Sequence, residues 1–222
     1  MARDDERRAR AAEAPIVGSL PDAPGILAAM QLAPGLALHL RGLADALLVH
    51  DFPGVTMSRS DRELLATAVS EGNDCFYCMD SHGAFAGELL RATGDRHDAV
   101  VDAVKKGETT GLDAKLAALT GIARTVARRP RELALADIER AKAAGASDGD
   151  VQLAVLIASA FSMYNRMVEG LRAQTPPRAE AFHERAQPAR HLRGAELRRG
   201  VRHDGHRRRL GHRAPCPTAG SL

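Results

Sequence analysis

Cys75 and Cys78 lie three residues apart, and His82 follows four residues later, in the stretch Glu71-Gly-Asn-Asp-Cys-Phe-Tyr-Cys-Met-Asp-Ser-His82. On a helix, offsets of three and seven residues fall within about 60° of each other, so the two thiols and the imidazole share one face. Cys75 is expected in the first turn of that helix, where unpaired N–H groups and the helix dipole favour a thiolate. One thiolate can attack a peroxide or a disulfide. A second thiol three residues away can then capture the oxidised sulfur as an intramolecular disulfide, with the histidine carrying the proton. The spacing suits redox chemistry.

Two other readings of the cluster stand beside this one. The cysteines are also small enough to be buried core residues, with His82 an ordinary helical side chain. Zinc would find three ligands, but a closed structural site wants a fourth, and no second Cys-x-x-Cys or His-x-x-x-His stands in the body of the chain. His39, His50 and His97 are isolated in the sequence. Met79, not histidine, follows the second cysteine, which excludes c-type haem attachment. No metal and no cofactor is therefore expected.

The elements around the cluster read as helices almost throughout. Pro34 opens a segment whose leucines at 36, 40, 43 and 47 follow helical spacing. Asp22 with Pro24 suggests a short helix before it, ending near Gln31. Ser58 with Asp61, and Ser147 with Asp150, have the capping-box pattern. The first predicts a helix to about Ser70, and the second the longest helix, to about Leu171. Gly72 to Asp74 breaks the chain just before the cysteines, with Asn73 or Asp74 as the next cap. Further helices are expected from Gly94 to Lys106, over 112–128, and from Leu133 to Ala144. Apolar residues make up 45% of the chain and aromatics only 3%, with no Trp. Such a core of small and straight-chain residues suits packed helices better than a β-sandwich. The fold class is all-α.

Three regions follow: a flexible N-terminal segment (1–20), one all-helical domain (21–186), and an Arg/His/Pro/Gly-rich tail (187–222). The tail has nine Arg against Glu196 and Asp204, a net of 9 − 2 = +7; the whole chain carries +3, so residues 1–186 carry 3 − 7 = −4. With little apolar periodicity, the tail is expected to be disordered. It lacks stacking aromatics, so nucleic acid is not the expected partner. Cys216 lies in it without an assigned role. The N-terminus has no apolar secretory core, and the apolar run Val151 to Phe161 is too short to span a bilayer. A soluble, cytoplasmic protein is expected, in a compartment that keeps thiols reduced.

Glu63 stands twelve residues before Cys75, in Arg-Glu63-Leu-Leu-Ala-Thr-Ala-Val-Ser-Glu-Gly-Asn-Asp-Cys75. With Cys75-x-x-Cys78-x-x-x-His82 after it, the pattern resembles the AhpD-like alkylhydroperoxidase branch of the carboxymuconolactone decarboxylase superfamily. The stretches DAKLAALTGIARTVARRP and AGASDGDVQLAVLIASAFSMYNRMVEGL are similar to the C-terminal half of its peroxidase-related members, so the resemblance covers roughly residues 20–185. It implies an AhpD-like helical bundle and a thiol-dependent peroxidase. By that likeness Cys78 attacks the hydroperoxide, Cys75 resolves it, and Glu63 is the general base working through His82. The implied partners are a small hydroperoxide, an external dithiol or disulfide reductase, and further copies of the chain in a trimer or hexamer. One position departs from the pattern: Tyr77 stands where the best-studied branch has a second histidine, and a phenol is a poor base near neutrality. Glu71 is expected to be a helix-end surface residue. Asn165 and Arg166 are read as packing or subunit contacts, and Leu153, Leu156, Ile157, Ala160 and Met163 as core or oligomer interface. The alternatives are a non-catalytic thiol sensor or metal-binding regulator and, with least support from a cysteine pair, a lactone decarboxylase.

Overall fold

Two Ser-x-x-Asp boxes set the starts of the two helices on which the rest is assembled. Ser58 Oγ accepts from the Asp61 amide and Asp61 returns the bond to the Ser58 amide (3.2 and 2.8 Å). Ser147 and Asp150 repeat the arrangement (2.9 and 3.1 Å). The computed structural model describes residues 5–6, 9–10, 12–92, 97–176, 182 and 186. Among them the helices are α1 (Ile26–Leu32), α2 (Pro34–Leu48), α3 (Arg59–Gly72), α4 (Phe76–Arg91), α5 (His97–Lys105), α6 (Ala114–Arg128), α7 (Leu135–Ala143) and α8 (Asp148–Gly170). A 3-10 turn at Pro130–Glu132 joins α6 to α7. The described residues contain no strand. The fold is all-α, as the sequence predicted. Residues 187–222, read as a disordered tail, lie outside the described residues, as does Cys216.

Helix α3 is the hub. It packs against α4, α6 and α8, and its residues from Arg62 to Glu71 are all buried. Ala66, Ala68, Ala86, Ala123, Ala154 and Ala158 are fully buried where these helices meet, and small side chains let helix axes approach closely. This is how a chain so poor in aromatics fills its core. Helix α8 has the length and apolar composition to cross a bilayer, but in this fold it lies against α3 and α6 with Leu153, Ala154, Ile157, Ala158 and Phe161 in the core.

Several boundaries and faces differ from the sequence reading. Helix α1 begins after Gly25, without a side-chain cap, rather than at Asp22 and Pro24. On α2 the leucine stripe splits: Leu40 and Leu47 are core, whereas Leu36 is 52% and Leu43 is 42% exposed. The pairs 36/43 and 40/47 run along lines about 40° apart on the helix, and only one line meets the bundle. The same division leaves Leu156 and Met163 exposed on α8 beside buried Leu153 and Ile157. The described part of residues 1–20, expected to be flexible, makes specific contacts. The Ile16 amide donates to the Leu171 carbonyl (3.2 Å), Glu13 pairs with Arg172 (3.4 Å), and Arg10 pairs with Glu169.

Asp150 ties the loop before α3 to the start of α8. Its carboxylate is fully buried and accepts from the Thr56 amide and hydroxyl (both 2.7 Å), the Met57 amide (3.1 Å) and the Ser147 amide (3.1 Å). Burial alone would raise its pKa, but these hydrogen bonds outweigh it and hold the group below the ordinary carboxylate value. A depressed carboxylate stabilises the fold above its unfolded pKa of about 4, and that stability is lost as pH falls through the lower folded value. Asp150→Ala should therefore cost about 2–4 kcal/mol at neutral pH. In urea titrations at a series of pH values, Asp150→Asn should also flatten the loss of stability on the acid side. An acid limb unchanged from wild type would contradict this account.

Candidate functional site

The turn between α3 and α4 is two residues longer than a single break, and Asp74 takes a left-handed backbone (φ +53°) to make it. This helical hairpin sets the second and third turns of α3 against the middle of α4. Glu63 Oε2 thereby meets His82 Nδ1 at 2.8 Å. The Glu63 side chain is 3% exposed and that of His82 15%. Phe161 of α8 packs edge-on against the imidazole, with centroids 4.6 Å apart and planes at 87°. An ionised Glu63 accepts from Nδ1–H, which leaves Nε2 as the proton-accepting nitrogen. Cys78 precedes His82 by one helical turn on the same face of α4. Glu63 thus faces inward from α3 onto His82.

Cys75 is the N-cap of α4, not a residue of its first turn, and its backbone is extended (φ −92°, ψ 93°). Its amide donates to the Ser70 carbonyl (3.0 Å). Cys75 and Cys78 are both buried and both free thiols. The expectation of a depressed Cys75 pKa is corrected. Burial pushes this thiol well up, and Cys78 and the Glu169 carboxylate push the same way; only the Cys78 amide opposes them. Desolvation of the charged form exceeds what one helix end supplies.

The sulfur pair sits in its own small apolar cluster with Ala28, Tyr77, Ala84, Val168, Ala173 and Phe182. Tyr77 contributes a wall. Its ring stands edge-on to Phe182 (5.2 Å, 74°) and lies over the backbone of Gly25. Gly25 has φ +54°, and a Cβ there would come within 2.3 Å of the Tyr77 ring. Beside the cluster, Asn165 Nδ2 donates to Ser70 Oγ (3.1 Å) and Asn165 Oδ1 accepts from Asn73 Nδ2 (2.9 Å). Asn165 therefore locks α8 to the end of α3, as its packing role suggested, while Arg166 Nη1 turns back to the Ser162 carbonyl (2.9 Å).

Glu71 is not a surface residue. It is 4% exposed and pairs with Arg124 (3.5 Å) and Arg128 (3.4 Å) of α6. Sequence reasoning also missed Glu169, near the end of α8, whose negative charge helps push the Cys75 thiol up. No spacing relates it to residues 75–82, and only the packing of α8 against the hairpin brings it there. No group of three or more His, Cys, Asp or Glu suited to a metal ion occurs among the described residues.

No family model matches the sequence, and no curated protein matches it significantly. Solved structures do match. One is the alkylhydroperoxidase AhpD core of an uncharacterized peroxidase-related protein from Ralstonia eutropha: 24% identity, 74% of this chain, 82% of that one, TM-score 0.60. An uncharacterized peroxidase-related protein from Silicibacter sp. matches at 24% identity over 78% of this chain and 93% of that one, TM-score 0.60. A putative antioxidant defence protein AhpD from Agrobacterium tumefaciens matches at 19% over 66% and 94%, TM-score 0.54. The fold is AhpD-like. At these identities the likeness is one of fold, and it agrees with the fold that the cysteine motif implied.

The AhpD-like bundle holds its sulfur pair behind Tyr77, and Tyr77 needs Gly25. Gly25→Ala should destabilise the protein by about 2–4 kcal/mol, through the left-handed backbone and the overlap with the ring. It should also raise the rate at which native Cys75 and Cys78 react with a small alkylating reagent. Wild-type stability and thiol protection in that variant would refute the wall.

Proposed function

We propose that the protein is a thiol-dependent peroxidase that reduces small hydroperoxides. The observation that carries the reading is the 2.8 Å Glu63–His82 contact, with His82 one helical turn after Cys78 of a buried, free Cys75–Cys78 pair. His82, oriented by Glu63, takes the Cys78 proton, and the thiolate attacks the distal peroxide oxygen. The O–O bond breaks, alcohol leaves, and Cys78 becomes a sulfenic acid. Cys75 then attacks the Cys78 sulfur, water leaves, and the disulfide awaits an external dithiol or disulfide reductase. Overall, one hydroperoxide and two thiols give alcohol, water and a disulfide. Solvent reaches the site beside His82, whose side chain keeps 15% exposure, so the peroxide approaches from that side. Tyr77 lies in the apolar wall, so the proton route runs through His82 and Glu63 without a second histidine.

Assembly with further copies of the chain belongs to this proposal, and the exposed Leu36, Leu43, Leu156 and Met163 supply apolar surface for it. A second reading, a stoichiometric thiol sensor, draws on the burial of Cys75 and its raised pKa, which slow a thiol's reactions.

Peroxide consumption coupled to a panel of dithiol donors decides between them. Wild type should turn over many times, Cys78→Ser should fall to background, and Cys75→Ser should stop after one oxidation. Glu63→Gln should retain roughly a hundredth of the wild-type kcat/KM or less. Full consumption by Cys78→Ser removes the assigned nucleophile, and a single stoichiometric oxidation of wild type leaves the sensor.

A further inference from the structure

We propose that Asn165 of α8 is a positioning residue for disulfide closure, holding the turn that delivers Cys75 to Cys78. This rests on the reading of Cys75 and Cys78 as a redox pair. The turn is a Schellman motif that closes α3. The Cys75 amide donates to the Ser70 carbonyl (3.0 Å), the Asp74 amide donates to the Glu71 carbonyl (3.1 Å), and Asp74 supplies the left-handed residue. Cys75 therefore ends one helix and caps the next. An N-cap side chain leans over the third residue of its helix, and in α4 that residue is Cys78. The reach of one sulfur to the other thus depends on the backbone from Ser70 to Cys75 keeping its place.

Asn165 grips that stretch at two points. Its Nδ2 donates to Ser70 Oγ (3.1 Å), and its Oδ1 accepts from Asn73 Nδ2 (2.9 Å), which also donates to Ser162 Oγ (3.1 Å). Ser70 directs its own hydroxyl proton to the Ala66 carbonyl (2.8 Å), so its oxygen can only accept from Asn165. Ser70 and Asn165 are both buried, where water does not replace a lost partner. Asp74 holds a backbone conformation that costs free energy for a residue with a Cβ, so a turn released from Asn165 has somewhere to relax to. One turn of α8 away, Phe161 packs on the imidazole of His82. A single face of α8 therefore touches both the imidazole and the turn that carries Cys75.

In closure the Cys75 sulfur attacks the Cys78 sulfur. The S–S bond forms with an electron pair from Cys75, and the pair of the broken bond leaves with the group on Cys78. From a sulfenic acid the leaving hydroxide and the Cys75 proton make water; from a mixed disulfide the departing sulfur takes that proton as a thiol. The attack must run in line with the breaking bond, and a small displacement of the attacking atom slows such a step steeply.

The test uses the full, reduced chain carrying Cys216→Ser, so that Cys75 and Cys78 are its only thiols, with dithiodipyridine as oxidant. The first thiopyridone released reports formation of the mixed disulfide, and the second reports closure. Asn165→Leu should keep the first release within about twofold of wild type and slow the second on the order of tenfold. Asp150→Ala weakens the fold at the far end of α8 and should leave the ratio of the two rates unchanged. A role in stability alone moves that ratio in neither variant or in both. An unchanged ratio in Asn165→Leu, or an equal change in Asp150→Ala, overturns the assignment. Should Asn165→Leu fail to fold, Asn73→Ala opens the same clasp from the turn side, and normal closure there overturns it instead. Slow closure in Asn165→Leu with no peroxide turnover by wild type would sink the peroxidase reading alone. Peroxide turnover by wild type with normal closure in that variant would sink the role of Asn165 alone.

Discussion

A carboxylate and an imidazole held 2.8 Å apart inside a helical hairpin place a strict demand on everything around them. Left without its partner, the buried Glu63 carboxyl would be an unsatisfied polar group, a cost of about 1–3 kcal/mol in an apolar interior. The register of α3 against α4 is therefore tied to this contact, and the neighbouring parts hold that register. The Ser58–Asp61 box sets where α3 starts, the left-handed Asp74 sets the turn, and Phe161 presses the imidazole from α8. The capping boxes look like local helix grammar, yet through them the chain aligns two side chains nineteen residues apart.

The sulfur pair is built on a different logic. Its surroundings are apolar, and burial drives Cys75 towards the protonated form. A dry site protects thiols from stray oxidants but withholds the thiolate that chemistry requires. Such a site needs its bases supplied from outside the apolar cluster. Glu63 of α3 and His82 of α4 form the polar pair that adjoins it.

Surface and core divide along the helices in a way that composition does not reveal. The apolar lines of α2 and α8 are each wider than the strip the bundle covers, so part of each faces outward. The chain before α1 adds a layer of its own, with Gly25 under Tyr77 and Arg10 on Glu169. The chain before the first helix thus takes part in the setting of the site.

The all-α class, most helix starts and the one-turn spacing of Cys78 and His82 on α4 were legible in the sequence, because capping, helical period and i, i+4 adjacency are properties of neighbouring residues. Glu63 was legible only through a resemblance, since nothing in its spacing says which way one helix faces another. Tertiary structure alone decided that Glu71 turns inward to Arg124 and Arg128, and that Cys75 caps its helix and is pushed up by burial, with the Glu169 charge adding to the rise. Desolvation and through-space charge depend on what other segments cover a group, and those segments lie up to some ninety residues away along the chain.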